Sequence, residues 1–221
     1  MKVDINVVSD FVCPWCFIGR QRLLRVVDQF HTEHPEHSIH INWLPYFLNV
    51  DTPTWGEPYR PFLEKKFGSA RAVDELFANV REAAREDGLE FAFESIRVRV
   101  NTLQAHRLVY RAHSQGARPE QVNKLVGGLF EAYFQQGKDI GDIETLADVA
   151  VAAGEKREAI VEYLSGSEDA QAVHRMAGQL ENQGVEGVPF FIFNRSLAVS
   201  GAQSLSAFGA ALREVTAVRV S

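Results

Sequence analysis

The chain has 221 residues, of which 46% are apolar, and its formal net charge is −6. This length and apolar fraction are typical of a globular protein of one or two domains with a sizeable core. The acidic balance argues against nucleic-acid binding, which uses basic surfaces. No apolar run reaches the roughly 18 residues that a membrane-spanning helix needs. The first residues lead directly into a strand pattern, so we expect no signal peptide, no membrane association and a cytoplasmic location.

The chain opens with a β-α-β pattern. Residues 3–8 alternate apolar and polar side chains, which predicts a strand. Residues 14–34 carry an apolar stripe at helical spacing, and Pro35 disfavours helix in the residue before it. Residues 38–47 predict a second strand, with alternate apolar positions on one face.

The middle of the chain is predicted to be helical. A connection rich in Pro and Gly comes first, and apolar residues then recur at helical spacing. The predicted helices are residues 59–67, 69–87, 102–115, 120–136, 142–153, 155–164 and 167–183. No β pattern lies between them, so we expect an all-helical insertion.

Strand patterns return near the C-terminus. Residues 188–194 and 197–199 predict two strands, and Asn194-Arg195 predicts a tight turn between them. Residues 204–215 predict a last helix. The order of elements is therefore β-α-β, then helices, then β-β-α.

Both cysteines lie in Cys13-Pro14-Trp15-Cys16, where the first strand gives way to the first helix. Pro14 suits the first helical position, which makes Cys13 the N-cap residue. The N–H groups of Trp15 and Cys16 should then point towards the Cys13 sulfur, and the helix dipole should favour a thiolate there. Cys16 lies one turn further on, within disulfide reach and more shielded. We therefore expect Cys13 to attack a disulfide and Cys16 to resolve the product.

Two other interpretations of the cysteine pair are weaker. Half of a zinc site has this spacing, but a tetrahedral site needs four ligands and the chain has no second pair, so we predict no metal. A structural disulfide spanning so few residues would add little stability to a chain of this size. A CxxC motif beside a βα unit is typical of a thioredoxin-like redox site.

Four ordered motifs resemble those of DsbA-like oxidoreductases of the FrnE type, in the thioredoxin superfamily. They are residues 10–19 (DFVCPWCFIG), 101–107 (NTLQAHR), 184–191 (GVEGVPFF) and 200–203 (SGAQ), and they span most of the chain. Phe17 stands where relatives often carry Tyr. Val7 stands where many thioredoxin-like proteins have a buried acid that accepts the proton of the resolving thiol. The sequence therefore does not identify the group that accepts the proton of Cys16.

The resemblance and the order of elements together imply an α/β thioredoxin fold (β-α-β … β-β-α) split by an all-helical insertion domain. The expected thioredoxin-like domain comprises residues 1–49 and 184–221. The expected helical insertion domain comprises residues 50–183.

The resemblance also implies a substrate-binding strand next to the cysteines. In thioredoxin-like folds the residue matching Pro189 follows a cis peptide bond. An extended substrate could then pair with Val188 as an added strand. Pro14 and Trp15 would contact the substrate beside the cysteines.

A further group of site residues is implied within the helical insertion. Asn101, Thr102 and His106 belong to a motif that faces the CxxC motif in similar proteins. Without the resemblance, Asn101 or Thr102 is a helix cap, and His106 is a core or surface histidine. Histidine is suited to proton transfer near neutral pH.

The resemblance predicts a thiol–disulfide oxidoreductase that acts on a protein or small molecule carrying a disulfide or thiol. One alternative is a glutathione-dependent isomerase or transferase, similar to 2-hydroxychromene-2-carboxylate isomerases and kappa-type transferases. Those enzymes usually carry Ser at the position of Cys13. A second alternative is a holdase-like protein that binds clients without redox turnover. No bound cofactor is expected, and the sequence leaves open whether glutathione is a thiol co-substrate and whether the protein is a homodimer.

Overall fold

The computed structural model describes residues 2–217 and contains the predicted sequence of helices and strands. The elements are β1 (Lys2–Ser9), α1 (Pro14–Glu33), β2 (Ser38–Pro45), β3 (Glu57–Pro58), α2 (Tyr59–Phe67), α3 (Ala70–Arg85), β4 (Val98–Arg99), α4 (Leu103–Ser114), α5 (Pro119–Phe134), α6 (Ile143–Ala152), α7 (Arg157–Ser165), α8 (Ala170–Asn182), β5 (Phe190–Phe193), β6 (Leu197–Ser200) and α9 (Leu205–Ala217). A short 3₁₀ turn, Phe93–Ser95, precedes β4.

A four-stranded mixed sheet, in the order β2-β1-β5-β6, forms the centre of the first unit. The strand β1 runs parallel to β2 and antiparallel to β5, and β5 and β6 form an antiparallel hairpin. Val7 of β1 lies opposite Trp43 of β2 and Phe191 of β5. This arrangement confirms the predicted thioredoxin fold.

Helices cover both faces of this sheet, as its two apolar faces require. On one face, Val8 packs with Leu180 of α8 and with Val185. On the other face, the ring of Phe191 meets Phe208 of α9 edge-on, with centroids 4.7 Å apart.

The chain divides into two compact units at positions close to the predicted domain boundaries. One unit contains the residues up to Tyr46 and those from Met176 onward, and the other is Phe47–Arg175. The predicted boundaries were 49/50 and 183/184. The second boundary differs most, because Met176 and Leu180 in the C-terminal half of α8 pack against the sheet residue Val8. The helical pattern of α8 gave no sign of this division.

The second unit is helical around an aromatic core, but it is not all-helical as expected. Phe77 stacks on Phe93 with ring centroids 4.2 Å apart, and further buried rings surround them. The strands β3 and β4 pair antiparallel, with Glu57 opposite Arg99. Each strand has only two residues, which is too short for an alternating pattern to show in the sequence. Among residues 2–217, no helix is long and apolar enough to cross a membrane.

The arginine of the 101–107 motif holds the end of a neighbouring helix in the second unit. Arg107 is buried, and its guanidinium donates to the backbone carbonyls of Tyr163 at 2.9 Å and Glu168 at 2.7 Å, with a longer bond to Leu164. Its side chain also donates to Gln104. The carbonyls of Tyr163 and Leu164 lie at the C-terminal end of α7, where helical carbonyls lack partners within the helix, and that of Glu168 lies in the connection to α8.

We predict that Arg107→Met lowers the free energy of unfolding by about 3 kcal/mol or more, because it removes several hydrogen bonds that a charged, buried guanidinium donates to backbone carbonyls. Urea unfolding of reduced protein measures this loss. Arg107→Lys should recover only part of it, since an ammonium lacks the planar fork of a guanidinium. The control is Arg71→Met, whose side chain is 89% exposed and which should change stability by less than about 0.5 kcal/mol. A loss below about 1 kcal/mol for Arg107→Met would contradict this role.

A close contact between α1 and β5 depends on Gly19. A Cβ atom at this position would lie 2.9 Å from Cζ of Phe191 and 3.2 Å from Cγ of Pro189. The glycine of the 10–19 motif therefore lets the first helix approach β5 and Pro189 directly before it.

We predict that Gly19→Ala destabilises the protein by about 1 kcal/mol, a balance of two effects. Overpacking costs about 1–3 kcal/mol, whereas the gain in helix propensity is about 1 kcal/mol. The matched control is Gly178→Ala in α8, where nothing lies within 4 Å of the new Cβ. The free energy of unfolding of that variant should rise by up to about 1 kcal/mol. Thermal unfolding of the pair measures the difference, and a melting temperature for Gly19→Ala at or above that of the parent would rule out the steric argument.

Candidate active site

The turn between β1 and α1 places the Cys13 sulfur at the start of the helix. The Cys13 N–H donates to the carbonyl of Asp10 at 3.1 Å, which closes the turn. Cys13 has extended backbone angles and is the N-cap, and Pro14 occupies the first turn of the helix. The N–H of Cys16 donates to the Cys13 sulfur at 3.3 Å. The predicted N-cap is therefore confirmed, but among the described residues the Cys13 sulfur accepts a hydrogen bond from the N–H of Cys16 alone, and the expected second bond from Trp15 is not formed.

Both cysteines are free thiols, and both are largely shielded. Cys13 is 4% exposed and Cys16 is 1% exposed, whereas Trp15 between them is 39% exposed. Trp15 is therefore the large apolar side chain of this motif that is most exposed.

The surroundings of Cys16 strongly favour its protonated form. Burial raises the pKa of the Cys16 thiol well above its ordinary value, and the hydrogen bond to Cys13 and the charge of Cys13 raise it further. The backbone N–H of Asp10 and the hydroxyl of Ser9 act in the opposite direction.

The loop before β5 lies beside the Cys13 sulfur. The Val188–Pro189 peptide bond, for which the resemblance implied a cis geometry, is cis. The Cys13 thiol donates to the carbonyl of Val188 at 3.7 Å, a long contact that joins residues 175 positions apart. The structure therefore brings Cys13, Cys16, Val188 and Pro189 together.

The fourth motif, residues 200–203, supports this loop, a role that the sequence did not reveal. Gly201 has φ +80°, a conformation that favours glycine, and its N–H donates to the Pro189 carbonyl at 2.8 Å. The next carbonyl, of Ala202, accepts from Nη1 of Arg22 on α1 at 2.7 Å. The motif thus connects the proline loop to the helix that carries the cysteines.

An apolar residue, Val7, occupies the position of the buried acid found in many thioredoxin-like proteins. Two residues at the end of β1, Ser9 and Asp10, act on Cys16. Val7 is buried within the sheet. Ser9 and Asp10, at the end of β1, are both buried. The Ser9 hydroxyl makes no hydrogen bond to any described residue within ordinary limits, although it favours the Cys16 thiolate. It is therefore a donor that gains an acceptor when Cys16 loses its proton.

The predicted site residues of the insertion lie in the second unit. The N-cap residue of α4 is Thr102, and the side chain of Asn101 before it accepts from the N–H of Leu103 and donates to the carbonyl of Thr52. Thr102 and His106 are buried, and the His106 ring meets Phe47 edge-on at 5.2 Å. Their contribution to a dithiol site stays a prediction.

Comparison with known families decides the classification. Residues 4–213 match the DSBA-like thioredoxin domain family. The chain belongs to this family. The cap, the dithiol and the proline loop all lie within the matched residues. The finer classification as FrnE type stays a prediction.

Solved structures agree with this DsbA-like assignment. A probable DsbA oxidoreductase from Streptomyces coelicolor is 25% identical with a TM-score of 0.85, and the match covers 99% of this chain and 92% of the other. A 2-hydroxychromene-2-carboxylate isomerase shares the fold at 19% identity and a TM-score of 0.68, with 99% of both chains covered.

A sequence relative is also similar over nearly its whole length. The uncharacterized protein YwbO of Bacillus subtilis is 25% identical, over 97% of this chain and 98% of its own.

We predict that the reduced protein loses stability as the pH rises above about 8.5, the ordinary pKa of a cysteine. The folded state keeps the Cys16 proton to higher pH, so the unfolded state binds fewer protons there and unfolding becomes easier. The slope approaches about 1.4 kcal/mol per pH unit between the two pKa values. Urea unfolding under reducing conditions from pH 7 to 9.5 measures it.

The matched variant for this test is Cys16→Ala, which removes the group and keeps the remaining titrating residues. Between pH 8 and 9.5, its free energy of unfolding should fall by about 1 kcal/mol less than that of the parent protein. Parallel pH profiles for the two proteins would refute the assignment of this slope to Cys16.

Proposed function

We propose that this protein is a thiol–disulfide oxidoreductase that uses the Cys13–Cys16 dithiol. The observation that carries the proposal is the position of the Cys13 sulfur at the helix N-cap, where it accepts the Cys16 N–H at 3.3 Å. An N–H donor and the positive end of a helix favour a thiolate, which is the nucleophilic form of cysteine. Membership of the DsbA-like family and the likeness to a probable DsbA oxidoreductase support it.

The reaction divides between the two cysteines. The Cys13 thiolate attacks one sulfur of a substrate disulfide, forms a mixed disulfide and expels the other substrate sulfur as a thiolate. Cys16 then loses its proton and attacks the Cys13 sulfur. This step forms the Cys13–Cys16 disulfide, and the second substrate sulfur leaves and is protonated. The substrate is reduced by two electrons, and the dithiol is oxidised.

The raised pKa of Cys16 orders these steps. Because burial holds Cys16 protonated, it does not compete with Cys13 for the substrate. The Ser9 hydroxyl and the Asp10 N–H lower the cost of the thiolate when Cys16 resolves the mixed disulfide. In the reverse direction, the oxidised protein donates its disulfide to a substrate dithiol.

A thiol must return the oxidised protein to its dithiol form, and a small thiol such as glutathione fits this role as a co-substrate. We propose the cytoplasm, a reducing compartment, as the place where this occurs. The substrates are disulfide-containing proteins or small molecules.

Substrate contacts around the dithiol follow from its surface. Trp15 offers the exposed apolar ring beside the sulfur atoms, and Pro14 adjoins it. Val188, whose carbonyl already contacts the Cys13 thiol, offers backbone groups to an extended substrate. Asn101, Thr102 and His106 remain proposed substrate-binding residues from the motif resemblance.

The glutathione-dependent isomerase or transferase is not preferred. A 2-hydroxychromene-2-carboxylate isomerase shares the fold, but a shared fold hosts different chemistries. The second cysteine of the CPWC motif has no part in such a reaction, whereas it completes the dithiol cycle.

We predict opposite behaviour for the two single variants. Wild-type protein should reduce insulin with glutathione as the thiol donor. Cys13→Ser should fall to the uncatalysed rate, because the nucleophile is lost. Cys16→Ser should still attack but accumulate a mixed disulfide, because the resolving thiol is missing. Insulin precipitation and mass spectrometry of the intact protein measure these outcomes.

Thermal unfolding of both variants controls for damage to the fold. Retained insulin reduction by Cys13→Ser, or a Cys16→Ser protein that traps no substrate, would refute the division of roles. Turnover of an isomerisable glutathione-dependent substrate by Cys13→Ser would favour the isomerase instead.

A further inference from the structure

The second unit contains a pocket that no step of the proposed reaction uses. Its volume is about 670 Å³, within the range of ligand-binding pockets. Leu48, Val50 and Phe62 contribute apolar surface, and Lys65 and Lys66 contribute positive charge.

The positive charge of the two lysines is not neutralised locally. Lys66 Nζ lies 3.4 Å from the amide oxygen of Asn49 and about 6 Å from the rings of Phe62 and Phe67, all of which are uncharged. Within residues 2–217, neither Lys65 nor Lys66 has a carboxylate within ion-pair distance. By contrast, Arg60 on the same helix pairs with both Glu64 and Asp74.

The other charged residues of the pocket leave it with a positive balance. Arg99 and Glu57 pair with each other, at 3.0 Å between Nε and Oε1, so they cancel. Asp51 also lines the pocket, and its single negative charge balances the formal charge of one lysine but not of both. In a chain whose net charge is −6, this pocket attracts a carboxylate.

Further exposed apolar residues lie close to the pocket lining in the sequence. Of the six large hydrophobic residues most exposed among those described, four fall between positions 48 and 67. Val50 is 72% exposed, Trp55 is 82% exposed, and Leu48 and Phe67 are also exposed. Contiguous exposed apolar groups mark sites of protein association. A small amphiphilic anion would use the pocket alone, whereas a polypeptide would also cover the residues around it.

We propose that this pocket and the exposed apolar residues of positions 48–67 dock an extended polypeptide segment in which apolar and acidic side chains alternate. An apolar side chain fills the space beside Phe62, and a neighbouring carboxylate meets Lys65 and Lys66. Trp55 and Val50 cover the flanking part of the segment. This docking is separate from thiol exchange and does not require the dithiol.

The test is fluorescence anisotropy of reduced protein with the cysteine-free peptide Gly-Ser-Leu-Glu-Phe-Glu-Leu-Glu-Gly-Ser, labelled with fluorescein. Because the peptide cannot exchange disulfides, the result is independent of the proposed redox activity. We expect this peptide to bind at least tenfold more tightly than a peptide with Lys in place of Glu, and than one with Ser in place of Leu and Phe. A tenfold change corresponds to about 1.4 kcal/mol.

Variants assign the binding to this surface. The double variant Lys65→Glu/Lys66→Glu should weaken binding at least tenfold, and Val50→Ser and Trp55→Ser should each weaken it severalfold. Matched controls on the same unit are Lys124→Glu/Lys138→Glu, which changes two exposed lysines, and Val151→Ser, which removes a side chain that is 45% exposed. The controls should leave the affinity unchanged.

Other results would overturn the proposal. Equal binding of the three peptides, or equal effects of test and control variants, would remove the assignment to this surface. Binding of decanoate to the pocket without any binding of the peptide would indicate a small amphiphilic anion. A dimer in sedimentation that dissociates in Lys65→Glu/Lys66→Glu would show that a second copy of this chain occupies the surface.

Discussion

The hydrogen bond from the Cys16 N–H to the Cys13 sulfur is the interaction on which the candidate site depends. It exists because the chain leaves a largely buried strand, turns within four residues and starts a helix at a proline. That path gives one sulfur a helix N-terminus and buries the other inside the first turn. Two chemically identical side chains therefore have different surroundings.

Backbone contacts also assemble the rest of the site from distant parts of the chain. The carbonyl of Val188 reaches Cys13, the N–H of Gly201 reaches Pro189, and the carbonyl of Ala202 reaches Arg22. At Val188 and Ala202 the backbone carbonyl makes the contact, so these contacts do not require a particular side chain at either position. The motifs around residues 19 and 201 are short because they preserve a close approach and a left-handed conformation, respectively.

Local patterns were sufficient to predict much of this structure. Strand alternation, the proline at the start of α1 and the tight turn at Asn194-Arg195 are properties of short segments, and the structure contains all of them. Contacts made only in the folded chain could not be predicted. The support of Pro189 by Gly201, the proximity of Ser9 to Cys16 and the carbonyl contacts of Arg107 each depend on residues distant in sequence or on burial. The pair β3 and β4 was missed because its strands are too short to carry a periodic signal.

The three tryptophans occupy three different surroundings, and this gives the protein built-in optical probes. Trp15 lies between the cysteines, Trp43 is buried in the sheet opposite Val7, and Trp55 is almost fully in water. Variants that keep a single indole would each report on one region by intrinsic fluorescence, without any label. Emission of Trp43 would follow the integrity of the sheet, that of Trp15 the state of the sulfur pair, and that of Trp55 the coverage of the loop before β3. Chemistry, folding and docking could thus be observed separately in the same molecule.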